Sequence, residues 1–263
     1  MQLRRFIFVA LLACLTVAAI FFVIANMNRS ALSGRAITDE LSPLVAKYGK
    51  PLYSSHEEEL IIRDFFQDRR DGIFLDVGAA HYRDRSNTYY LERHLGWSGI
   101  AIDAQAKFAA DYKTHRPRTR YFALFISDRS NERARLYIGQ NDIFSSADRR
   151  FTEGYVPVTG VEDVPTITLN DLLTTQRIDH LDFVSMDIEL GEPKALAGFD
   201  IARYRPQLVG IEAHPEVRQQ ILDYFQAHGY VLVGKYLRAD PQNLWFAPVG
   251  ASFPEPIRGP RID

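Results

Sequence analysis

The sequence predicts an α/β domain, a mostly parallel sheet with helices on both faces, preceded by an N-terminal transmembrane helix. Short apolar runs such as 73–77, 99–103 and 181–186 alternate with amphipathic stretches, the pattern of a parallel sheet buried on both sides. Several of these runs close on an acid, Asp76, Asp103 or Asp187. Residues 6–25 are apolar apart from Thr16, and about twenty residues at 1.5 Å each cross a hydrocarbon core of about 30 Å.

The elements follow in order. Residues 57–66 form a helix whose apolar face is Leu60, Ile61, Phe65 and Phe66. Asp71-Gly72 makes a turn into the strand 73–77, which runs into Gly78. A helix over 86–95 leads to the strand 99–103, and a helix over 108–115 leads to a third strand, 120–126. Residues 134–138 suit an inserted strand, and Thr168 opens a helix over 170–176. The strand 181–186, a short helix over 193–198 and the strand 207–212 come next. Val217, Ile221, Leu222 and Phe225 give the helix 216–228 its buried face, and 230–236 pairs with 243–248 as terminal strands. The chain thus divides into an anchor or uncleaved signal (1–30), a linker and lead-in (31–55), a catalytic-sized domain (56–250) and a tail (251–263).

Composition narrows the function. Of 263 residues, 46% are hydrophobic and 24% charged, which excludes a disordered chain. Lys+Arg (31) and Asp+Glu (33) nearly cancel, so no strongly basic nucleic-acid binder is expected. Cys14, in the apolar run, is the only cysteine, which leaves no thiol chemistry in the domain. The basic residues Arg4 and Arg5 before the run and Arg29, Arg35 and Lys47 after it set its orientation weakly, leaning to an inside N-terminus, which puts the rest of the chain outside and conflicts with the cytosolic side expected of the function below.

Parallel sheets bind ligands beyond the carboxyl ends of their strands. Asp76-Val77-Gly78-Ala79 delivers an acid and a close-approach glycine there. The alternative is an ordinary strand-to-helix turn with a capping acid. Asp103 is placed to accept hydrogen bonds from ribose hydroxyls or to cap a helix. Together the two acids favour a nucleoside-like ligand, while the lone glycine disfavours a dinucleotide. Ser127 and Asp128 follow the third strand, toward the adenine side of such a ligand or in a plain turn. Asp187 and Glu189 are crowded acids, suited to a general base or a divalent-metal ligand. No residue is assigned as a metal ligand, and a divalent metal stays open. His214, past the strand 207–212, is either a proton acceptor or a hydrogen-bonded histidine before a helix. His81 lies in the first ligand loop.

With these residues in place, the chain resembles the FkbM family of S-adenosylmethionine-dependent methyltransferases. The resemblance runs from Phe74-Leu75-Asp76-Val77-Gly78-Ala79 through Ser86-Asn87-Thr88 and Leu95-Gly96-Trp97-Ser98-Gly99-Ile100 to Asp103. It continues in residues 164–173, in 181–189 and in Ala195-Leu196-Ala197-Gly198-Phe199-Asp200. It implies a class I, Rossmann-like methyltransferase fold and methyl transfer to a hydroxyl of a sugar, polyketide or membrane-associated acceptor. By that resemblance Asp76, Gly78, Ala79 and His81 belong to the first cofactor loop. Ser86, Asn87 and Thr88 line the loop over the cofactor, Asp103 holds the ribose, and Ser127 and Asp128 approach the adenine. Asp187 and Glu189 face the acceptor, and His214, placed by its own strand-end position rather than by the resemblance, is with Glu189 a candidate base for the hydroxyl proton. Two departures stand out: Tyr82 and Leu190 replace residues that are usually small. If Tyr82 blocks the cofactor loop, the chain is a non-catalytic, membrane-tethered binding module instead. S-adenosylmethionine is made in the cytosol, so an active domain is expected on that side of the membrane.

Overall fold

The computed structural model describes residues 41–251. The expected membrane span, residues 6–25, lies outside them. Among the described residues no helix is long and apolar enough to cross a membrane.

The domain opens with a helical segment over 41–48, where the sequence reading placed a linker. Then come α1 (Glu58–Phe66), β1 (Ile73–Val77), α2 (Tyr89–Leu95) and β2 (Ser98–Asp103). They are followed by α3 (Ala109–His115), β3 (Thr119–Ala123), β4 (Phe125–Ile126), β5 (Arg133–Gly139), α4 (Arg149–Tyr155) and β6 (Val158–Ile167). The chain continues through α5 (Leu169–Thr175), β7 (Phe183–Met186), α6 (Glu192–Ala197), α7 (Ile201–Tyr204) and β8 (Leu208–Glu212). It closes with α8 (Arg218–Ala227), β9 (Tyr230–Leu232) and β10 (Asn243–Pro248).

Seven strands form one sheet in the order β3-β2-β1-β7-β8-β10-β9. The first five are parallel, and β10 runs antiparallel between β8 and β9. One face packs Leu169, Leu172, Leu196, Ile221 and Phe225 against Val77, Val184 and Ile211. The other packs Leu60, Ile61, Leu91 and Trp97 against Phe74, Phe183 and Trp245. Burial on both faces explains why β1 and β7 read as continuous apolar runs.

Two expectations are corrected. The third strand is not continuous: β3 ends at Ala123, the Leu124 N–H donates to the Asp103 carbonyl, and Phe125–Ile126 leaves to pair with β6. The inserted strand is not single either. β5 and β6 form a long antiparallel hairpin, Arg133 opposite Pro165 through Ile138 opposite Gly160, with α4 beside it. This small sheet (β4-β6-β5) stands beyond the carboxyl edge of the main one.

Candidate active site

The strand order reverses between β1 and β7, both of which start their neighbours from the middle of the sheet. Ligands bind at this crevice in open α/β sheets. A cleft of about 890 Å³ opens there, lined by Gly78, Ala79, Ala80, Asp103, Gln105 and Asp187 among others. A small annex carries Asp76, Ser86, Asn87 and Ser185.

Gly78 sits at φ +85°, a conformation that favours glycine. Its close neighbour is not open space for a ligand: a Cβ there would lie 1.7 Å from the Asp187 carbonyl oxygen. The loop is tied further by the Gly78 and Ala79 N–H groups, which both donate to the Ile102 carbonyl. Asp103 accepts from the Ala80 N–H (3.1 Å) and the Gln105 N–H (2.8 Å). It therefore organises two loops, and each oxygen keeps a lone pair for a ligand. Burial pushes its pKa up to about 6.

Asp76 is buried and accepts from the Thr88 hydroxyl at 2.6 Å. Burial raises its pKa, opposed by that hydrogen bond and the Arg116 charge. Arg116, itself buried, donates to Thr88, to the Tyr82 carbonyl and to Glu92. Ser86 accepts from the Tyr89 N–H, and Asn87 donates to Ser185 at 3.0 Å, which closes the annex. The Asn87 carbonyl oxygen is buried without a protein partner.

Asp187, Glu189 and His214 come together as the sequence suggested. His214 Nε2 lies 3.0 Å from Glu212 Oε2 and 3.4 Å from Glu189 Oε2. The Glu189 and Glu212 carboxylates raise its pKa to about 10. It is an imidazolium at neutral pH, so in this arrangement it has no site free to accept a proton. Asp187 is exposed to the cleft, and desolvation by the surrounding walls and the charges of Glu212 and Glu189 raise its pKa well above normal. Burial also raises Glu189, against the pull of His214.

Other expected residues fall elsewhere. Ser127 and Asp128 do not line the cleft; the Ser127 hydroxyl donates to the Asp128 carboxylate at 3.0 Å on the surface. The break at Leu124 turns them away, and Leu124, Ile126 and Leu136 take the wall they were expected to supply. His81 stands outside the lining, its Nε2 3.6 Å from Asp142 and its ring against Phe108. Thr88 lies beneath Asp76 rather than on the cleft wall. Tyr82 does not block the loop. Its ring stacks on His115 at 4.6 Å, clear of the cleft.

The sequence reading missed Glu212, Gln105 and Asp142 as site residues. Glu212 ends β8, and the strand-end rule that found Asp76, Asp103 and Asp187 would have found it too. Asp142 comes from the insertion and pairs with Lys107 at 2.8 Å. Burial raises its pKa, but the Lys107 bond and charge outweigh it and the net shift is downward. No strand-end signal marks it. The insertion also supplies Phe151, edge-on to the His214 ring at 5.1 Å, and Ser146, whose hydroxyl donates to the Glu189 carbonyl at 2.7 Å.

Residues 76–232 match the family model described as Methyltransferase FkbM domain, and the chain belongs to that family of methyltransferases. No curated protein matches it. Among solved structures it is similar to the precorrin-6y C5,15-methyltransferase of Geobacter metallireducens GS-15. The identity is 9% and the TM-score 0.40, over 70% of this chain and 76% of that one. It is also similar to a putative RNA methyltransferase, PH1948, from Pyrococcus horikoshii, at 12% identity and TM-score 0.39, over 81% of this chain and 99% of that one. At these values neither bears on the substrate.

Proposed function

We propose that this chain is an S-adenosylmethionine-dependent methyltransferase that methylates a hydroxyl oxygen of a sugar, polyketide or membrane-associated acceptor. The observation that carries the reading is the gathering of Asp76, Asp103 and Asp187 around one crevice, in a chain of this family. The cleft volume suits a nucleoside-sized ligand. The spare lone pairs of Asp103 and the unpartnered Asn87 oxygen offer acceptors for its polar groups.

When bound, the cofactor supplies an electrophilic methyl group on a sulfonium. The chain's own work is then to align and deprotonate the acceptor. Gly78, Ala79 and Ala80 shape the floor, and Asp103 holds the ribose end. Asp187 and Glu189 carry raised pKa values, so a proton taken from a hydroxyl at neutral pH is held more readily than by an ordinary carboxylate. His214 fixes Glu189 and Glu212 in place and offsets part of their charge. The remaining negative potential suits a cationic sulfonium.

In this reading residues 6–25 anchor the protein and the domain faces the cytosol. A reporter fused at the C-terminus reports that side, and a reporter outside the membrane contradicts it. The function is tested by incubating full-length protein and labelled S-adenosylmethionine with a cell extract. A hydroxyl-bearing compound should gain one methylene, and Asp187→Ala should abolish the transfer while cofactor binding persists. Full transfer by Asp187→Ala overturns the assignment.

A further inference from the structure

We propose that Glu189, Glu212 and His214 form a binding site for a divalent first-row cation at the inner end of the cleft. One ligand atom from each lies within 4.8 Å of the others. All three are largely buried, their side chains 13%, 15% and 18% exposed. Two carboxylates and one imidazole make a mixed oxygen and nitrogen set that suits a cation of the manganese type, which takes the place of the proton His214 releases on binding.

The local fold holds these atoms in place. Glu212 is the last residue of β8. Glu189 sits at φ 54° and Leu190 at φ 74°, two successive left-handed residues that turn the β7 loop back toward β8. Such conformations are unfavourable for residues other than glycine and persist where the surroundings impose them. The Ser146 hydroxyl pins the same turn through the Glu189 carbonyl.

A second observation points to a missing positive charge. Glu192 is fully buried; one oxygen accepts from the Ile188 N–H at 2.9 Å and the other has no partner. The charges it feels are those of Glu212 and Glu189. Glu212 Oε2 is also buried, with His214 Nε2 3.0 Å away as its charged neighbour. Asp187 faces the same carboxylates. His214 is the one cation among the charges acting on Glu189, in a cluster that also holds Glu212, Asp187 and Glu192. A buried carboxylate oxygen left without a partner, as in Glu192, is costly, and a divalent cation held by Glu189 and Glu212 offsets the excess negative charge beside it.

The binding claim stands apart from methyl transfer. The role does rest on the proposed function: open coordination positions would draw an acceptor hydroxyl onto the cation and make its proton easier to remove.

The probe is Mn²⁺ alone, titrated into chelator-treated full-length protein and followed by the paramagnetic resonance of the free ion. One Mn²⁺ should bind per chain. Glu212→Gln and His214→Gln should each weaken it at least about tenfold, while the exposed Asp128→Asn should not. Thermal unfolding provides the second readout: Mn²⁺ should raise the wild-type midpoint but not that of the folded variant Glu189→Gln. An unchanged free-ion signal with wild type, or equal binding by all variants, overturns the site. S-adenosylmethionine binding in the same samples separates the two claims. Cofactor binding without Mn²⁺ removes the cation site alone, and Mn²⁺ binding without cofactor removes the methyltransferase reading alone.

Discussion

Gly78 lies directly beneath Asp187: a Cβ on Gly78 would come within 1.7 Å of the Asp187 carbonyl oxygen and within 3.1 Å of the Ile188 side chain. The Asp187 N–H donates to the Val77 carbonyl at 2.9 Å, so the ends of β1 and β7 are locked in both directions. The cofactor loop and the acceptor-side acid therefore form one unit. Gly78→Ala must move one of them and also strain a backbone at φ +85°. A loss of about 2–4 kcal/mol of stability is expected, with cofactor affinity and turnover falling together. Denaturant unfolding and a binding titration check this; a Gly78→Ala variant of wild-type stability and affinity contradicts the packing described.

The buried Arg116 is the keystone of the first loop. It bonds Glu92, the Tyr82 carbonyl and Thr88, and Thr88 in turn donates to Asp76. Arg116→Met should cost about 3–5 kcal/mol, because Glu92 is left charged and buried. Thr88→Val is the milder probe. It should cost about 1 kcal/mol and weaken cofactor binding by loosening Asp76. Retained affinity in a folded Thr88→Val protein would show that Asp76 orientation does not matter.

Asp103 couples pH to binding and to stability with opposite signs. Its folded pKa of about 6 lies above the usual 3.8 because of burial. Between those values the folded protein binds more protons than the unfolded chain, so stability falls as pH rises through the window, by at most about 3 kcal/mol. Cofactor affinity should rise over the same range, since an ionised Asp103 is the better acceptor for ribose hydroxyls. Asp103→Asn should flatten its share of both trends. Titrations at several pH values between about 4.5 and 8 measure the affinity; a cofactor affinity that falls across this range rules out the role.

Tyr82 is bulky where a small residue is usual, yet it costs the cleft nothing. Its ring stacks on His115 at 4.6 Å and meets Tyr89 edge-on at 6.4 Å. Tyr82→Ala should lose about 1 kcal/mol of stability from the lost stacking and change cofactor affinity by less than about threefold, an effect below about 1 kcal/mol. A large gain in affinity would mean that the ring obstructs entry in solution.

Much of this arrangement is legible in the sequence. Apolar runs buried on both faces show as strands in sequence, and β1, β2, β7 and β8 fell within two residues of their predicted limits. The acids at the ends of β1, β2 and β7 also marked the cleft. The hairpin was not legible in the same way. Val158–Ile167 carries Gly160, Glu162, Asp163 and Pro165, and most of its residues are exposed or half-buried, so no apolar period announces a strand. Asp142, Ser146 and Phe151 reach the site only because that hairpin exists. Ser127 and Asp128 failed for a related reason. Sequence continuity ran them off the end of the third strand, but the hydrogen bond from Leu124 to Asp103 and the pairing of β4 with β6 divert the chain. Gly78 lines the cleft as expected, and it also meets a close approach that the sequence does not show, that of the Asp187 carbonyl.

The most direct measurement is calorimetric titration of full-length protein with S-adenosylmethionine. Saturable binding of one molecule per chain at micromolar concentration is expected, weakened at least about tenfold, or about 1.4 kcal/mol, in Asp103→Ala. No heat of binding at millimolar cofactor, or equal binding by wild type and Asp103→Ala, contradicts the account.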